Sequence, residues 1–417
     1  MPETRAEIGP FIPPIDRAFI ADPYPHYQRW LQGPRVFWHP EFFGGSWVIT
    51  RHPDIKALLR DLENISTEKT GSLVDQFPPE YHDELRDVDH YLARWLAFID
   101  PPKHVVLRNL LKPGFTPKVV SSFRPRVEAI THQLLDQALD ADAGEMDLVR
   151  DFAYQLPVRV VSAMLGVPDQ DHPRFMQLMD DLAMFLGNAN PTVEAARAAK
   201  QALYELTDYF RGLAAHRRAH PGQDLVSILL AAEDDGQVLS EEELYAQCVF
   251  FLFAGHETTS NLIANAMLCL LRFPEQMALL RSDPGLIPSM VEEALRYEGP
   301  MQYTFRLARR DFQLFGQPVK QGDVLVVVFG AGNRDPSVFP EPDRFDITRQ
   351  PNPHLTFGYG LQHCLGAGVA RMEAQVAYQA LLERLEQIQL VEAEPQWHDV
   401  YRFRGLRRLP IRYVRRQ

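Results

Sequence analysis

Cysteine is nearly absent from this chain: Cys248, Cys269 and Cys364 are the only three in 417 residues. An odd count without paired spacing excludes a disulfide framework and suits a reducing compartment, so a cytoplasmic location is expected. Surplus positive charge is missing as well. The formal net charge is −12, which speaks against nucleic-acid binding, because that relies on a basic footprint. The Arg-rich end "RFRGLRRLPIRYVRR" alternates with apolar residues and reads as a terminal strand with solvated guanidinium groups. Long apolar runs are lacking too. "CVFFLFAG" is far too short to span a bilayer, and the Pro-rich opening "MPETRAEIGPFIPPIDRAFI" lacks the charged start and apolar stretch of a signal peptide, so no membrane anchor is expected. There is no internal repeat, low-complexity tract or linker. With 46% hydrophobic residues to fill a large core, one domain over residues 1–417 is expected.

What is present is mostly helical patterning. "RVFWHPEFFGGSWVIT" (35–50) reads as a β-hairpin around a Gly-Gly turn. Residues 63–102 suit a mobile loop region with short helices. Helical periodicity then dominates about 104–298, with a long amphipathic helix in "TVEAARAAKQALYELTDYFRGLAAHRRAH". The next helix opens at Ser240, with Glu243 placed to complete a capping box, and runs to about Arg272. At 1.5 Å per residue it spans roughly 50 Å, and being apolar on most sides it must cross the interior. Short β-rich runs fill about 304–328, a Pro-studded meander follows, and a last helix occupies about 364–385. Strands over about 387–413 close the chain. The fold class is mainly α with small β-sheets (α+β), and the β-rich pieces from both ends are expected to meet in one sheet beside the helical body.

The segment "FGYGLQHCLG" (357–366) places the one cysteine outside the central helix just ahead of a helix start. Such a position favours thiolate over thiol through the helix dipole and unpaired N–H groups. Gly358 and Gly360 permit backbone conformations closed to other residues, and Gly366 leaves room for something flat. A buried cysteine acting as a small apolar residue is the plain alternative. Neighbouring His363 raises zinc or a Cys–His nucleophile, but no second Cys/His cluster supplies further ligands.

This segment closely resembles the haem-binding loop of the cytochrome P450 family of haem-thiolate monooxygenases. The resemblance implies that Cys364 is the axial ligand of iron in haem b (iron protoporphyrin IX), with Phe357, Gly358, Gln362 and Gly366 against the cofactor. Gln362 stands where the family commonly has His or Arg, so it brings a hydrogen bond without a charge.

"FLFAGHETTSN" (251–261) sets an acid and two threonines into a helix that should be buried. A satisfied polar patch or kink would explain it, since Thr often bonds back to a carbonyl one turn earlier. Oxygen activation offers another reason: reducing O2 to product and water consumes protons, which an alcohol and a solvent-linked acid can deliver. "AGHETT" resembles the family's distal motif. It implies Glu257 as the acid, Thr258 as the alcohol, Ala254 and Gly255 beside the cofactor, and a helix widened at Gly255 for oxygen.

Glu293 and Arg296 are spaced i,i+3 on one helix face, ordinarily a surface ion pair. The family's Glu-x-x-Arg signature matches them and adds Arg344 from "PDRF", implying a buried network that braces the cysteine loop. His104 and Arg108, four apart on one helix face, and Arg306 on a strand match the family's partners for haem propionates. Cys248 and Cys269 are assigned to core.

By the same resemblance, the segments over the haem include the loop before His104, the region from Leu182 to Asn190, and Phe250, Met301, Tyr303, Phe305 and Phe403. The implied substrate is a medium-to-large apolar molecule of fatty-acyl, polyketide or terpenoid type, into which one oxygen of O2 is inserted. No flavin or iron–sulfur segment is present, so electrons come from a ferredoxin and its NAD(P)H-dependent reductase. Arg108, Lys112 and Arg371 present positive charge to that partner. A monomer is expected. Two alternatives stay open: a peroxide-driven peroxygenase, disfavoured by Glu257 and Thr258, and a non-catalytic haem-binding or sensor protein.

Overall fold

The computed structural model of the chain describes residue 11, residues 13–68, 74, 77–139, 143–188 and 191–416. Most of the Pro-rich opening therefore lies outside the described residues. Two compact units are present. The first holds the chain up to Thr67, Asn265–Cys364 and Gln396–Arg407; the second holds Glu68–Ala264, Leu365–Pro395 and the chain from Arg408 onward. The polypeptide thus passes between units inside its longest helix and again directly after Cys364.

In the first unit the expected hairpin forms, Val36–His39 antiparallel to Ser46–Ile49, turning through Phe42–Gly44. The second hairpin strand pairs parallel with Val324–Val328, which pairs antiparallel with Tyr303–Ala308, and that strand with Ile65–Ser66. Four of five residues in Val324–Val328 are buried, as befits a central strand covered on both faces. Ile49, Leu325 and Val327 join Ile55, Leu58 and Leu355 in one apolar cluster. The other face, which Tyr303 and Phe305 share with Val328 and Val326, meets an aromatic core: Tyr303 packs on Phe42 and Tyr401 at ring centroids 5.4 and 5.0 Å, and Phe305 on Phe43 at 4.3 Å.

The second unit is built from helices, among them Lys103–Leu111, Pro117–Ala138, Gln155–Leu165, His172–Leu186 and Val193–Ala219. The stretch expected to be irregular over 63–102 contains the helix His82–Leu92 and turns at Pro79–Tyr81 and Leu96–Phe98; residues 69–73, 75 and 76 lie outside the described residues. The last helix, Ala367–Arg384, is tied to the central one where Tyr378 Oη donates to the Ile263 carbonyl at 2.7 Å.

The terminal strands correct one expectation. Leu385–Leu390 and Pro410–Arg415 do not share the hairpin's sheet; they form a three-stranded sheet of the second unit with Ala143–Asp147. The partner segment "AGEMD" has poor strand propensity, and its pairing is imposed by the neighbouring strand.

The central helix runs Glu241–Arg272, with the capping box in place. Glu243 N–H donates to Ser240 Oγ at 3.3 Å, and the Glu243 carboxylate accepts from the Ser240 N–H at 3.1 Å. Cys248 and Cys269 lie buried along it, their thiols pushed up by burial, as core residues should be. Among the described residues no helix is long and apolar enough to cross a membrane.

Candidate active site

The cysteine loop of the first unit follows from two left-handed glycines. Gly358 and Gly360 both have φ near +73°, a conformation that strains other residues. They fold residues 355–364 back on themselves. Gly358 N–H donates to the Leu355 carbonyl at 2.7 Å, His363 N–H to Gly360 at 3.1 Å, and Cys364 N–H to Phe357 at 2.8 Å. The result holds Cys364 three residues ahead of Ala367, where the last helix begins with Gly366 as N-cap. Its thiol is exposed, unlike the other two. A Cβ built on Gly366 would meet nothing within 4 Å, so the helix start is open on that side. Gln362 is held by Thr67, to whose Oγ1 its Nε2 donates at 3.4 Å.

Beneath the loop lies a buried charge network. Arg296 Nε and Nη2 donate to the two Glu293 oxygens at 2.8 and 2.7 Å, and both side chains are fully buried. The same carboxylate accepts from Arg349 Nε at 3.2 Å, Asn352 Nδ2 at 3.0 Å and Asp346 N–H at 2.9 Å. Arg296 then reaches the carbonyls of Asn333, Pro342 and Arg344 at 3.0, 2.7 and 3.0 Å.

Arg344, expected as the third member, contributes only that carbonyl. Its guanidinium is 57% exposed and pairs with Glu341, and Arg349 supplies the basic side chain instead. Sequence reasoning also missed Asn333 and Thr356, which carry the brace to the loop. Asn333 Oδ1 accepts from Leu355 N–H at 2.7 Å, its Nδ2 donates to Thr356 Oγ1 at 2.9 Å, and Thr356 Oγ1 donates to the Leu295 carbonyl at 2.6 Å. The polar residues of the meander were the available signal, since a buried loop must satisfy its backbone somewhere.

Arg306 is buried, its Nη1 donating to the Phe305 carbonyl at 2.8 Å and to Thr304 Oγ1 at 3.3 Å. Thr304 and Arg306 share one face of their strand, so Tyr303 and Phe305 take the other. Those two, expected against substrate, are instead core residues on Phe42, Phe43 and Tyr401; β-alternation leaves them no choice. Half-buried Met301 forms an isolated antiparallel bridge with Phe403.

In the second unit His104 is fully buried and Arg108 half-buried on the helix Lys103–Leu111. Phe250 lies against Trp95 at a centroid distance of 5.3 Å. Leu182 is buried and Met184 52% exposed, while Ala189 and Asn190 lie outside the described residues.

The central helix continues without a break through 251–261. A Cβ at Gly255 would sit 3.3 Å from Val161 Cγ2, so the missing side chain lets the helix Gln155–Leu165 pack close there. Thr258 Oγ1 donates back to the Ala254 carbonyl at 3.1 Å. The Glu257 carboxylate accepts from Asn261 Nδ2 at 3.0 Å. Burial pushes the Glu257 carboxyl up from its usual range, the Asn261 bond opposes this, and the Asp180 charge adds to it. His256, driven down to about 4 by burial, donates through Nε2 to the Tyr154 carbonyl at 3.0 Å.

Among the described residues no group of three or more His, Cys, Asp or Glu side chains is arranged to hold a bare metal ion. A metal on Cys364 must therefore bring most of its own ligands, as a porphyrin does. One exposed sulfur on a glycine-shaped loop suits such a group.

The comparisons with known proteins agree. The Cytochrome P450 family model matches residues 79–284 and 285–400. The chain is 36% identical over 404 residues to the "Biotin biosynthesis cytochrome P450" of Bacillus subtilis, covering 95% of this chain and 97% of that one. It is 37% identical over 406 residues to "Cytochrome P450 monooxygenase PikC" of Streptomyces venezuelae, covering 96% and 93%. Among solved structures, P450BioI in complex with a hexadec-9Z-enoic acid-ligated acyl carrier protein superposes with a TM-score of 0.87 at 34% identity, covering 95% of this chain and 99% of that one. With its helical fold, its small sheets and its loop cysteine, the chain belongs to the cytochrome P450 family, the haem-iron monooxygenases.

Proposed function

We propose that Cys364 is the axial ligand of haem b, and that the enzyme inserts one oxygen of O2 into a medium-to-large apolar molecule of fatty-acyl, polyketide or terpenoid type. The observation that carries this reading is the exposed sulfur on a loop fixed by two left-handed glycines and braced by a buried ion network. When bound, the haem supplies the redox chemistry that activates O2. The chain's own residues supply the rest. His104, Arg108 and Arg306 hold the two carboxylates, with Gln362 adding a neutral donor. Phe357, Gly358, Ala254, Gly255 and Gly366 offer surfaces without charge. Glu257 holds the proton that reduction of O2 consumes, and Thr258 orients its delivery. Phe250, Met301 and Phe403 contribute the apolar contact that selects substrate.

A fatty-acyl chain is the favoured substrate class, because the solved relative named above carries an acyl carrier protein bearing one. Electrons come from a ferredoxin and its reductase, with Arg108, Lys112 and Arg371 presenting the docking charge. A cytoplasmic location fits the sparse cysteines.

The ligand test is optical. The reduced protein under carbon monoxide is expected to absorb as thiolate-ligated haem, and Cys364→His to lose that signature. A spectrum of imidazole-ligated type in the unaltered protein would overturn the reading. For the substrate, displacement of iron-bound water by acyl chains, free and carrier-linked, followed by product analysis, decides the class; no response from any chain length would exclude it.

A further inference from the structure

We propose a further function for the aromatic core of the first unit: Tyr303, Tyr401, Tyr27 and Tyr24 form a relay that carries a stray oxidising equivalent from the haem site to the surface. The inference rests on the reading that haem is held at Cys364 and Arg306.

Phenol rings give up one electron at potentials that activated oxygen reaches, and electrons pass fastest between rings in contact. The inner end is Tyr303, in the strand that carries Arg306 and roughly 10 Å along the backbone from it. Its ring meets Tyr401 at a centroid distance of 5.0 Å. Tyr401 Oη and Tyr27 Oη lie 2.9 Å apart, and the Tyr27 ring meets Tyr24 edge-on at 5.7 Å. The first three are buried and Tyr24 is half-buried, so the row leads outward. All four belong to the same compact unit as Cys364. Packing alone asks only for rings, and phenylalanine would supply them without hydroxyls to satisfy.

The hydrogen bonds give the row a direction. A phenol that has lost an electron is a strong acid, so it persists only where a base takes its proton. Tyr27 donates to Gln302 Oε1 at 2.8 Å, so in its bond with Tyr401 it accepts and Tyr401 donates. One of these phenols ends on a neutral amide and the other on a phenol. Tyr24 differs: its Oη donates to Glu298 Oε1 at 2.6 Å, and among the described residues it alone of the four is bonded to a carboxylate. There the Tyr24 O–H bond breaks, one electron moves inward to refill the relay, and the proton passes to the Glu298 carboxylate, leaving a neutral phenoxyl radical. A one-electron reductant of the ascorbate type, arriving from solvent, and the proton held on Glu298 restore the phenol. The guanidinium groups over the Tyr24 ring, Arg334 at 4.2 Å and Arg404 at 5.4 Å, would oppose loss of an electron, but in the resting protein Asp343 and Glu298 pair with them.

The test uses the haem-loaded protein without substrate or electron donor. It is mixed with hydrogen peroxide, which supplies the oxidising equivalents, and frozen rapidly for electron paramagnetic resonance. A tyrosyl signal is expected, narrowed when the chain carries ring-deuterated tyrosine, and spin trapping followed by peptide mass analysis should place it on Tyr24. Tyr24→Phe and Tyr401→Phe, which keep the rings, are expected to weaken the signal severalfold and to let peroxide bleach the haem severalfold faster. Tyr91→Phe, in the second unit, should match wild type in both respects. Haem content per chain, measured for each variant, shows that the fold is intact. No tyrosyl signal in wild type, or one indifferent to Tyr24→Phe and Tyr401→Phe, overturns the relay. The underlying reading fails separately: if the reduced carbon monoxide complex is of imidazole type yet the signal shows the expected losses, the relay stands and the thiolate assignment falls.

Discussion

Glu293 and Glu257 are both carboxylates on helices, both withdrawn from water, and they are treated in opposite ways. Glu293 accepts five hydrogen bonds, from two guanidinium groups, an amide and a backbone N–H. Among the described residues Glu257 accepts one, from Asn261, and no Lys or Arg pairs with it. The first has its carboxylate oxygens filled by donors; the second has one donor and a carboxyl pushed up by burial. A buried carboxylate is stabilised by a complete shell of donors, and an incomplete shell favours its protonated form. The donor shell ahead of Cys364 thus suits the bracing role proposed for it, and the sparse shell of the central helix suits the proton-donor role proposed for Glu257.

The sharpest way to break the contrast is Glu293→Ala. It leaves Arg296 and Arg349 charged in a dry site, which costs about 3–5 kcal/mol. Insoluble or haem-poor protein is expected, scored by haem absorbance per mole of chain; normal haem content would refute the bracing role. Next in size come the two arginines of the meander. Arg349→Ala removes a charge-assisted bond to Glu293 and three carbonyl contacts, for a loss of about 1.5–3 kcal/mol. Arg344→Ala removes an exposed pair with Glu341 and a long 4.0 Å contact with Asp346, and should stay within about 0.5 kcal/mol of wild type. Chemical denaturation of the pair distinguishes them, and the reverse ranking would restore Arg344 to the network.

That last point marks where the sequence stopped being legible. "PDRFDITRQP" holds Arg344 and Arg349, and a family signature names a residue type at a spacing; which guanidinium turns inward depends on the path of an irregular backbone that no periodicity encodes. The capping box at Ser240 could be read because it is local, closing within one turn. The strand Tyr303–Ala308 was visible, and its alternation sets Tyr303 and Phe305 on the face opposite Thr304 and Arg306; what that face packs against depends on the pairing with distant strands, which no local pattern encodes. The loop around Cys364 was the clearest feature of all, since glycine requirements and a lone sulfur are properties of residue identity.

The titration of Glu257 gives a smaller effect with a defined sign. Its folded value lies above the ordinary 4.5, so the folded chain holds more protons than the unfolded one as pH rises past that point. Its contribution to stability is fully present below 4.5 and is lost as pH climbs through the raised folded value. Glu257→Gln cannot ionise. Urea midpoints of wild type and variant, compared across pH, should therefore diverge with rising pH in the variant's favour; a constant difference would mean that the carboxyl is ionised in the fold like any surface glutamate.

The smallest expected change in stability, and the most pointed in function, belongs to Thr258. Its hydroxyl hydrogen is committed to the Ala254 carbonyl, so what it offers outward is a lone pair. In the role proposed for it, that lone pair would accept a hydrogen bond at the oxygen side of the site, with Glu257 as the source of the proton. Thr258→Ser keeps the oxygen and the back-bond; Thr258→Ala and Thr258→Val lose both. Melting temperatures of all three should remain close to wild type, because a hydroxyl bonded back to its own helix adds little to folding. Coupling of NAD(P)H consumption to product should survive in Ser and collapse in Ala and Val, with peroxide appearing in place of product. If Val couples as well as Ser does, the hydroxyl is only a satisfied polar group on a helix, and Glu257 would have to deliver its proton unaided.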